Sequence, residues 1–170
     1  SIPGLKVVAP LTPFDIFNTY IWACKQSSPV IFVEHRMLYK NKGIVFEEKN
    51  YVPGIRKLND GLDLTICSIL HSSIEVGKSI AGLSSISVDH FNINNLSEID
   101  FDFIYESLKK TQNLLVVDNG WIKSSIASEI ISNMAIKGFK GKMMIMGYEN
   151  SPCPTPRIME NAFYPTSIKI

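Results

Sequence analysis

Two rhythms of apolar residues run through this chain. Short continuous runs alternate with stretches in which apolar residues recur every three or four positions, the periods of buried strands and of amphipathic helices. Lys6 to Ala9 is a short apolar run closed by Pro10. Thr12-Pro13 then has the form of an N-cap followed by the first helical residue, with Asp15 in the first turn. Ile16, Phe17, Tyr20, Ile21 and Cys24 follow at helical spacing until Ser27-Ser28-Pro29. Val30-Ile31-Phe32-Val33 is β-branched and aromatic and predicts a buried strand.

From about Glu34 to Asp60 the pattern breaks. The residues are charged, carry Gly43, Pro53 and Gly54, and show only one short apolar run, Ile44-Val45-Phe46. This predicts a linker, placed at 41–61, between an N-terminal unit at 1–40 and a second unit at 62–170. The second unit reads as strand 62–70, helix 73–81, strand 86–93, helix 101–110, strand 114–117, a turn at Asp118-Asn119-Gly120, helix 124–136 and strand 142–146. A Pro-rich tail follows from Ser151, with a short helix at about 156–163.

Continuous apolar strands between amphipathic helices indicate a mostly parallel sheet covered on both faces. The predicted fold is therefore a three-layer α/β/α sandwich, preceded by the closing β-α-β piece of another α/β unit. Two strands and one helix leave a face uncovered. That first piece is therefore expected to belong to a domain truncated on its N-terminal side; with no initiator Met and no signal-peptide pattern at Ser1-Ile2-Pro3-Gly4, either a leading segment was removed or the chain starts inside a longer protein.

Composition narrows the function classes. Of 170 residues, 45% are apolar and 19% charged, too apolar for a disordered chain. Seventeen Lys and Arg nearly balance sixteen Asp and Glu, so nothing suggests a polybasic nucleic-acid binder. No apolar run approaches the roughly 18 residues of a membrane span. Cys24, Cys67 and Cys153 are scattered and odd in number, which argues against a disulfide scaffold or zinc site. The expected compartment is the cytosol or an organelle matrix.

Most local motifs dissolve on inspection. Gly77-Lys78-Ser79 mimics the end of a phosphate loop, but Ser72 stands where that motif needs its first Gly. His35, His71 and His90 are dispersed. His90 reads as a strand residue and Cys67 as an inert core thiol. Glu98, Asp100 and Asp102 precede a helix and suit its N-terminal dipole. His71 lies where a parallel strand ends, the side on which open α/β sheets place ligands. His71, Asn92 and Asn119 thus form a candidate ligand site. Trp121, Ile126, Ile130 and Ile170 are candidate interface residues.

Taken in order, several segments resemble one family. Ile2 to Pro10 with Thr12-Pro13, then Pro29 to His35 with Met37-Leu38-Tyr39, resemble the end of the pyrimidine-binding domain in beta subunits of thiamine-diphosphate-dependent 2-oxoacid dehydrogenases. Asp63-Leu64-Thr65-Ile66, Val116 to Trp121, and Pro152 to Pro156 with Glu160 and Phe163-Tyr164-Pro165 resemble the transketolase-type C-terminal domain. The resemblance implies oxidative decarboxylation of a 2-oxoacid by a complete enzyme of the pyruvate or branched-chain type, holding thiamine diphosphate and Mg2+. It implies an alpha-type subunit, a second beta-type chain and a lipoyl acyltransferase as partners. The family's metal-diphosphate motif sits on the alpha partner, and its activating glutamate and active-site histidine lie before the segment matching Ile2. No catalytic, cofactor-binding or metal-ligating residue is therefore expected here, nor activity or cofactor binding by this chain alone.

Departures from the family are specific. Asn92-Ile93-Asn94 stands for Asp-Leu-Arg, Ser124-Ser125 for Gly-Gly, and the Gly after the first strand is replaced around Leu70. Ala23, Gln26 and Ser28 occupy the potassium-loop positions without the family's carboxylate. A transketolase or deoxyxylulose-phosphate synthase fragment is one alternative. A stand-alone, non-catalytic α/β binding or regulatory module is another.

Overall fold

A computed structural model describes residues 2–148 and 151–170. The N-terminal unit is β1 (Lys6–Val8), α1 (Pro13–Ala23) and β2 (Val30–Phe32), with the two strands parallel and Lys6 opposite Val30. Its helix starts where the sequence predicts. The Thr12 hydroxyl accepts from the Asp15 amide at 3.1 Å, and Asp15 Oδ2 accepts from the Thr12 amide at 3.0 Å, closing a capping box behind Pro13. The prediction that 30–33 is a fully buried strand does not hold. Ile31 is 46% exposed, because a two-stranded sheet with one helix has no second layer to cover it.

The larger unit has β3 (Ile55–Asn59), β4 (Leu64–Ser68), α2 (His71–Gly82), β5 (Val88–Ile93), α3 (Phe101–Thr111), β6 (Asn113–Trp121), α4 (Ile126–Ile136), β7 (Lys142–Tyr148) and α5 (Arg157–Phe163). The strand order is β3-β5-β4-β6-β7; only β3 runs antiparallel to its neighbour. Alternation along the strands sends Phe91, Ile93, Leu114 and Val116 to one face, where Ile104, Leu108, Ile130 and Met134 of α3 and α4 cover them. Ile66, Val88, Leu115 and Val117 face the other way, against Val76 and Ile80 of α2, with Ile170 packed beside them. These are the three layers of the predicted sandwich. Burying a Leu- or Phe-sized side chain contributes about 1.5–3 kcal/mol, so these two clusters hold the sheet together.

Two sequence predictions change here. Residues 55–59, inside the predicted linker, form the antiparallel edge strand β3, where polar Arg56, Lys57 and Asn59 gave no strand signal. Asp118-Asn119-Gly120 is no turn, since β6 continues through it to Trp121 and absorbs the irregularity as a register shift against β7. The three acidic residues at the start of α3, of which Asp102 lies inside its first turn, do separate jobs. Asp100 caps the Phe103 amide at 3.0 Å, Asp102 pairs with Lys137 at 2.6 Å, and Glu98 pairs with Lys6 of β1 at 3.0 Å.

The two units are tied by backbone as well as side chains. The Ala9 amide donates to the Asn94 carbonyl at 2.7 Å and the Leu96 amide to the Val7 carbonyl at 2.9 Å. Buried Asp15 meets the Arg56 guanidinium at 3.0 Å.

Candidate functional site

The carboxyl ends of the parallel strands gather the chain's polar chemistry. β4 ends at Ser68, and the chain turns into α2 through Leu70, whose φ of +53° is unusual for a residue with a side chain. The leucine is nonetheless buried, so side-chain packing holds it in that backbone conformation. The turn places Ser72 and Ser73 under the sheet end. Ser72 Oγ lies 2.9 Å from the Val117 carbonyl of β6 and 2.6 Å from the Ile69 carbonyl.

Beneath α2 lies a buried polar chain. The Ser73 hydroxyl donates to Asn92 Oδ1 at 2.6 Å, and Asn92 Nδ2 donates to Asn94 Oδ1 at 2.6 Å. With the Ser73 proton committed to Asn92, Ser73 accepts from Ser68 Oγ at 2.8 Å. Ser68 in turn accepts from His90 Nε2 at 2.7 Å, which assigns the His90 proton to Nε2. Burial pushes the His90 imidazole down to about 4, so it is neutral at physiological pH. His90 is thus the head of a one-way hydrogen-bond chain.

On the outer side of the same corner, the His71 ring stacks on His35, with centroids 4.9 Å apart and planes 14° off parallel. Burial lowers both imidazoles; the other ring and Arg36 add to this at His35, whereas at His71 Glu75 partly offsets it. His35 Nδ1 accepts from the Met37 amide at 3.3 Å. Next to this stack a cavity of about 650 Å³ opens beyond the carboxyl ends of β1 and β2, lined by Leu11, Phe17, Tyr20, Glu34, His35 and Tyr39 among others. The Tyr39 hydroxyl donates to Glu34 Oε2 at 3.0 Å, and that bond raises the phenol. Tyr20 stacks on Phe32 at 4.2 Å. Such a cavity suits a flat apolar group meeting a few polar atoms.

The predicted trio is not a unit. His71 joins His35, whereas Asn92 is fully buried with its amide engaged on both sides, so it offers nothing to a ligand. Asn119 sits in the β6 extension, half-buried. The interface candidates also separate. Trp121 is exposed, its indole N–H donating to the Ser151 carbonyl at 3.3 Å. Ile126 packs on the edge of the α3/α4 core, and Ile170 beside the α2 cluster. Ile130 is a correction, because it is wholly buried in its own chain's core and has no surface for a partner. Glu34, His35 and Tyr39 went unnoticed as site residues. The one available signal was that Val33-Glu34-His35 follows a parallel strand, the same position that singled out His71.

No helix among the described residues is long and apolar enough to cross a membrane. Cys67 is buried, which pushes its thiol up to about 12 and leaves it inert.

Comparison with known proteins settles the lineage of this architecture. The family described as the transketolase C-terminal domain matches residues 55–170. The chain belongs to the transketolase C-terminal domain family. The match begins at the first residue of β3. Relatives include the beta subunit of acetoin:2,6-dichlorophenolindophenol oxidoreductase from Cupriavidus necator, 31% identical over 99% of this chain and 52% of that protein. Another is the mitochondrial pyruvate dehydrogenase E1 component subunit beta of Dictyostelium discoideum, 33% identical over 82% of this chain and 41% of that protein. The beta-subunit resemblance implied by the ordered motifs is therefore borne out. The chain spans about half the length of these curated relatives. In fold it is similar to a split-gene transketolase solved as an inactive beta4 tetramer, with a TM-score of 0.78 at 16% identity, covering 99% of this chain and 56% of that one.

Proposed function

We propose that this chain is the closing portion of a beta-type subunit of a thiamine-diphosphate-dependent 2-oxoacid dehydrogenase, with 1–40 ending a pyrimidine-binding domain, 41–54 connecting, and 55–170, β3 included, forming the C-terminal domain. The observation that carries the reading is a single collinear match to beta subunits running through nearly the whole chain, across both structural units. Within that reading the chain's work is assembly. It would complete one wall of the cofactor cleft, and it would meet an alpha-type subunit, a second beta-type chain and a lipoyl acyltransferase.

The residues present do not fit a diphosphate-metal centre. Among the described residues no three His, Cys, Asp or Glu side chains gather to hold a metal. The fully buried carboxylate Asp89 is already paired, with Lys57 at 3.0 Å and Lys110 at 3.5 Å. The reading therefore assigns thiamine diphosphate and its magnesium to other parts of the complete enzyme.

Two measurements test this. Calorimetric titration of the chain with thiamine diphosphate and Mg2+ is expected to give no heat of binding; micromolar affinity overturns the assignment of the ligands elsewhere. Co-expression with an alpha-type subunit and the remainder of the beta-type sequence is expected to give a co-purifying assembly that decarboxylates a 2-oxoacid. An assembled but inactive complex would instead favour a non-catalytic relative.

A further inference from the structure

Three polar side chains stand one turn apart along a single face of α2: His71, Glu75 and Ser79. The middle one is a buried carboxylate claimed from both ends. Toward the end of the helix, Glu75 Oε2 accepts from the Ser167 amide at 3.0 Å, and the Ser79 hydroxyl donates to the Ser167 carbonyl at 2.7 Å. Side chains of one helix thus hold both backbone groups of one tail residue. Past Ser167 the tail closes a turn on the Thr166 carbonyl, which accepts from the Lys169 and Ile170 amides at 2.9 and 3.1 Å. Ile170 then packs on the apolar cluster beneath α2, while Ile168 is 96% exposed.

Toward the start of the helix, His71 Nε2 lies 3.9 Å from Glu75 Oε1, too far for a hydrogen bond. Closing that gap draws the carboxylate back along α2, away from Ser167. Glu75 is the partner able to move, because its side chain is long and rotatable, whereas the His71 ring is stacked on His35. The incentive is charge. A hydrogen bond from an imidazolium to a carboxylate is about twice as strong as one between neutral groups.

We propose that Glu75 is a toggle between the His35–His71 corner and the chain's last residues: protonation of His71 pulls the carboxylate off the Ser167 amide and frees the tail, and a seated tail holds His71 neutral. The charged groups around the toggle are compatible with the exchange. His71 faces Glu75 and Lys78 on its own helix, and His35, with Arg36 beside it, on the segment packed against α2. Lys78 meets Glu75 Oε1 at 2.6 Å and, being exposed, follows the carboxylate in either position. Lys169 of the tail is turned away, donating to the carbonyls of Ala162 and Tyr164. Because both events draw on one carboxylate, the coupling has the same size in both directions. It stands on the geometry of α2 and the tail and is independent of the proposed enzyme role.

Two measurements on the full chain test the toggle, one from each end. In a Cys24→Ser, Cys153→Ser background, where Cys67 is buried, a nitroxide on Ile168→Cys reports the tail's mobility. Burial holds His71 below its ordinary 6.5, so the tail is expected to be immobile above that pH and to loosen below it, in step with the His71 titration. Adding His71→Gln is expected to keep it seated until the carboxylates themselves take up protons. From the other end, the histidines are titrated by NMR in a Ser79→Ala, Ile170→Ala variant, which loosens the tail without touching Glu75. The proton affinity of His71 is expected to rise at least about threefold. His90, which lies under the same helix and titrates at about 4, is expected to stay where it is. A tail that remains immobile through the His71 titration, one that loosens equally in His71→Gln, or a His71 titration unmoved in the variant overturns the proposal. A His90 that moves together with His71 marks a general loosening of α2 and overturns it as well.

Discussion

His90 Nε2 of β5 lies 2.7 Å from Ser68 Oγ of β4, and the donor-acceptor order of the buried chain makes the neutral imidazole the donor. This fixes a sign for acid stability. His90 titrates near its ordinary 6.5 when unfolded and at about 4 when folded, so protons favour the unfolded state. Its contribution is fully present above pH 6.5 and falls away as the pH drops toward 4. The loss approaches about 3 kcal/mol. Denaturant unfolding across this range is expected to show the decline, and His90→Gln to flatten it. A decline of equal depth in the variant would place its origin elsewhere.

The His35–His71 stack has the same sign on a smaller scale. Both rings are held below their ordinary range mainly by burial, with Arg36 and Lys78 opposing protonation and Glu75 favouring it at His71. A double-mutant cycle of His35→Ala and His71→Ala is expected to give a coupling of about 0.5–1 kcal/mol at pH 8. As the pH falls far enough below 6.5 for both rings to take up protons, the coupling should vanish or reverse.

Asp15 is buried and its guanidinium partner Arg56 is half-exposed. Arg56→Ala leaves the carboxylate with only its Thr12 contacts, and is expected to cost about 1–2 kcal/mol, less than a fully buried pair because water reaches the arginine. Thermal melts of Arg56→Ala, Asp15→Asn and the double variant measure it. Strictly additive losses would show that the pair contributes nothing of its own.

Gly61 lies where a Cβ would sit 2.2 Å from the Val88 carbonyl carbon. Gly61→Ala therefore has to displace backbone at the start of β5, and is expected to destabilise by at least about 2 kcal/mol. Gly54→Ala, with open space around it, is expected to change stability little and serves as the control.

Much of this architecture is legible in the residues, and what is hidden has physical causes. Thr12-Pro13-Asp15 announces α1 because capping chemistry is local. The apolar runs of β4 and β6 announce strands buried on both faces. β3 is hidden because an edge strand needs no apolar run, and Arg56 and Lys57 look like linker residues until Asp15 and Asp89 are placed against them. Asn119-Gly120 reads as a turn because local propensity favours one, whereas pairing with β7 overrides it. Ile126 and Ile130 stand one helical turn apart on α4, yet only Ile130 is wholly buried, a distinction set by how far α4 leans onto the sheet. His35 and His71 are distant in sequence, so only tertiary structure makes them neighbours.

The antiparallel strand β3 has a consequence for how the two units find each other. Because it anchors residue 55 into the sheet, only residues 39–54 bridge from the short helix at Arg36–Leu38 to the second unit. A tether of that length keeps the units at a millimolar effective concentration toward one another. Contacts such as Ala9 to Asn94 and Asp15 to Arg56 therefore form as intramolecular events. Each can be individually weak and the junction still persist.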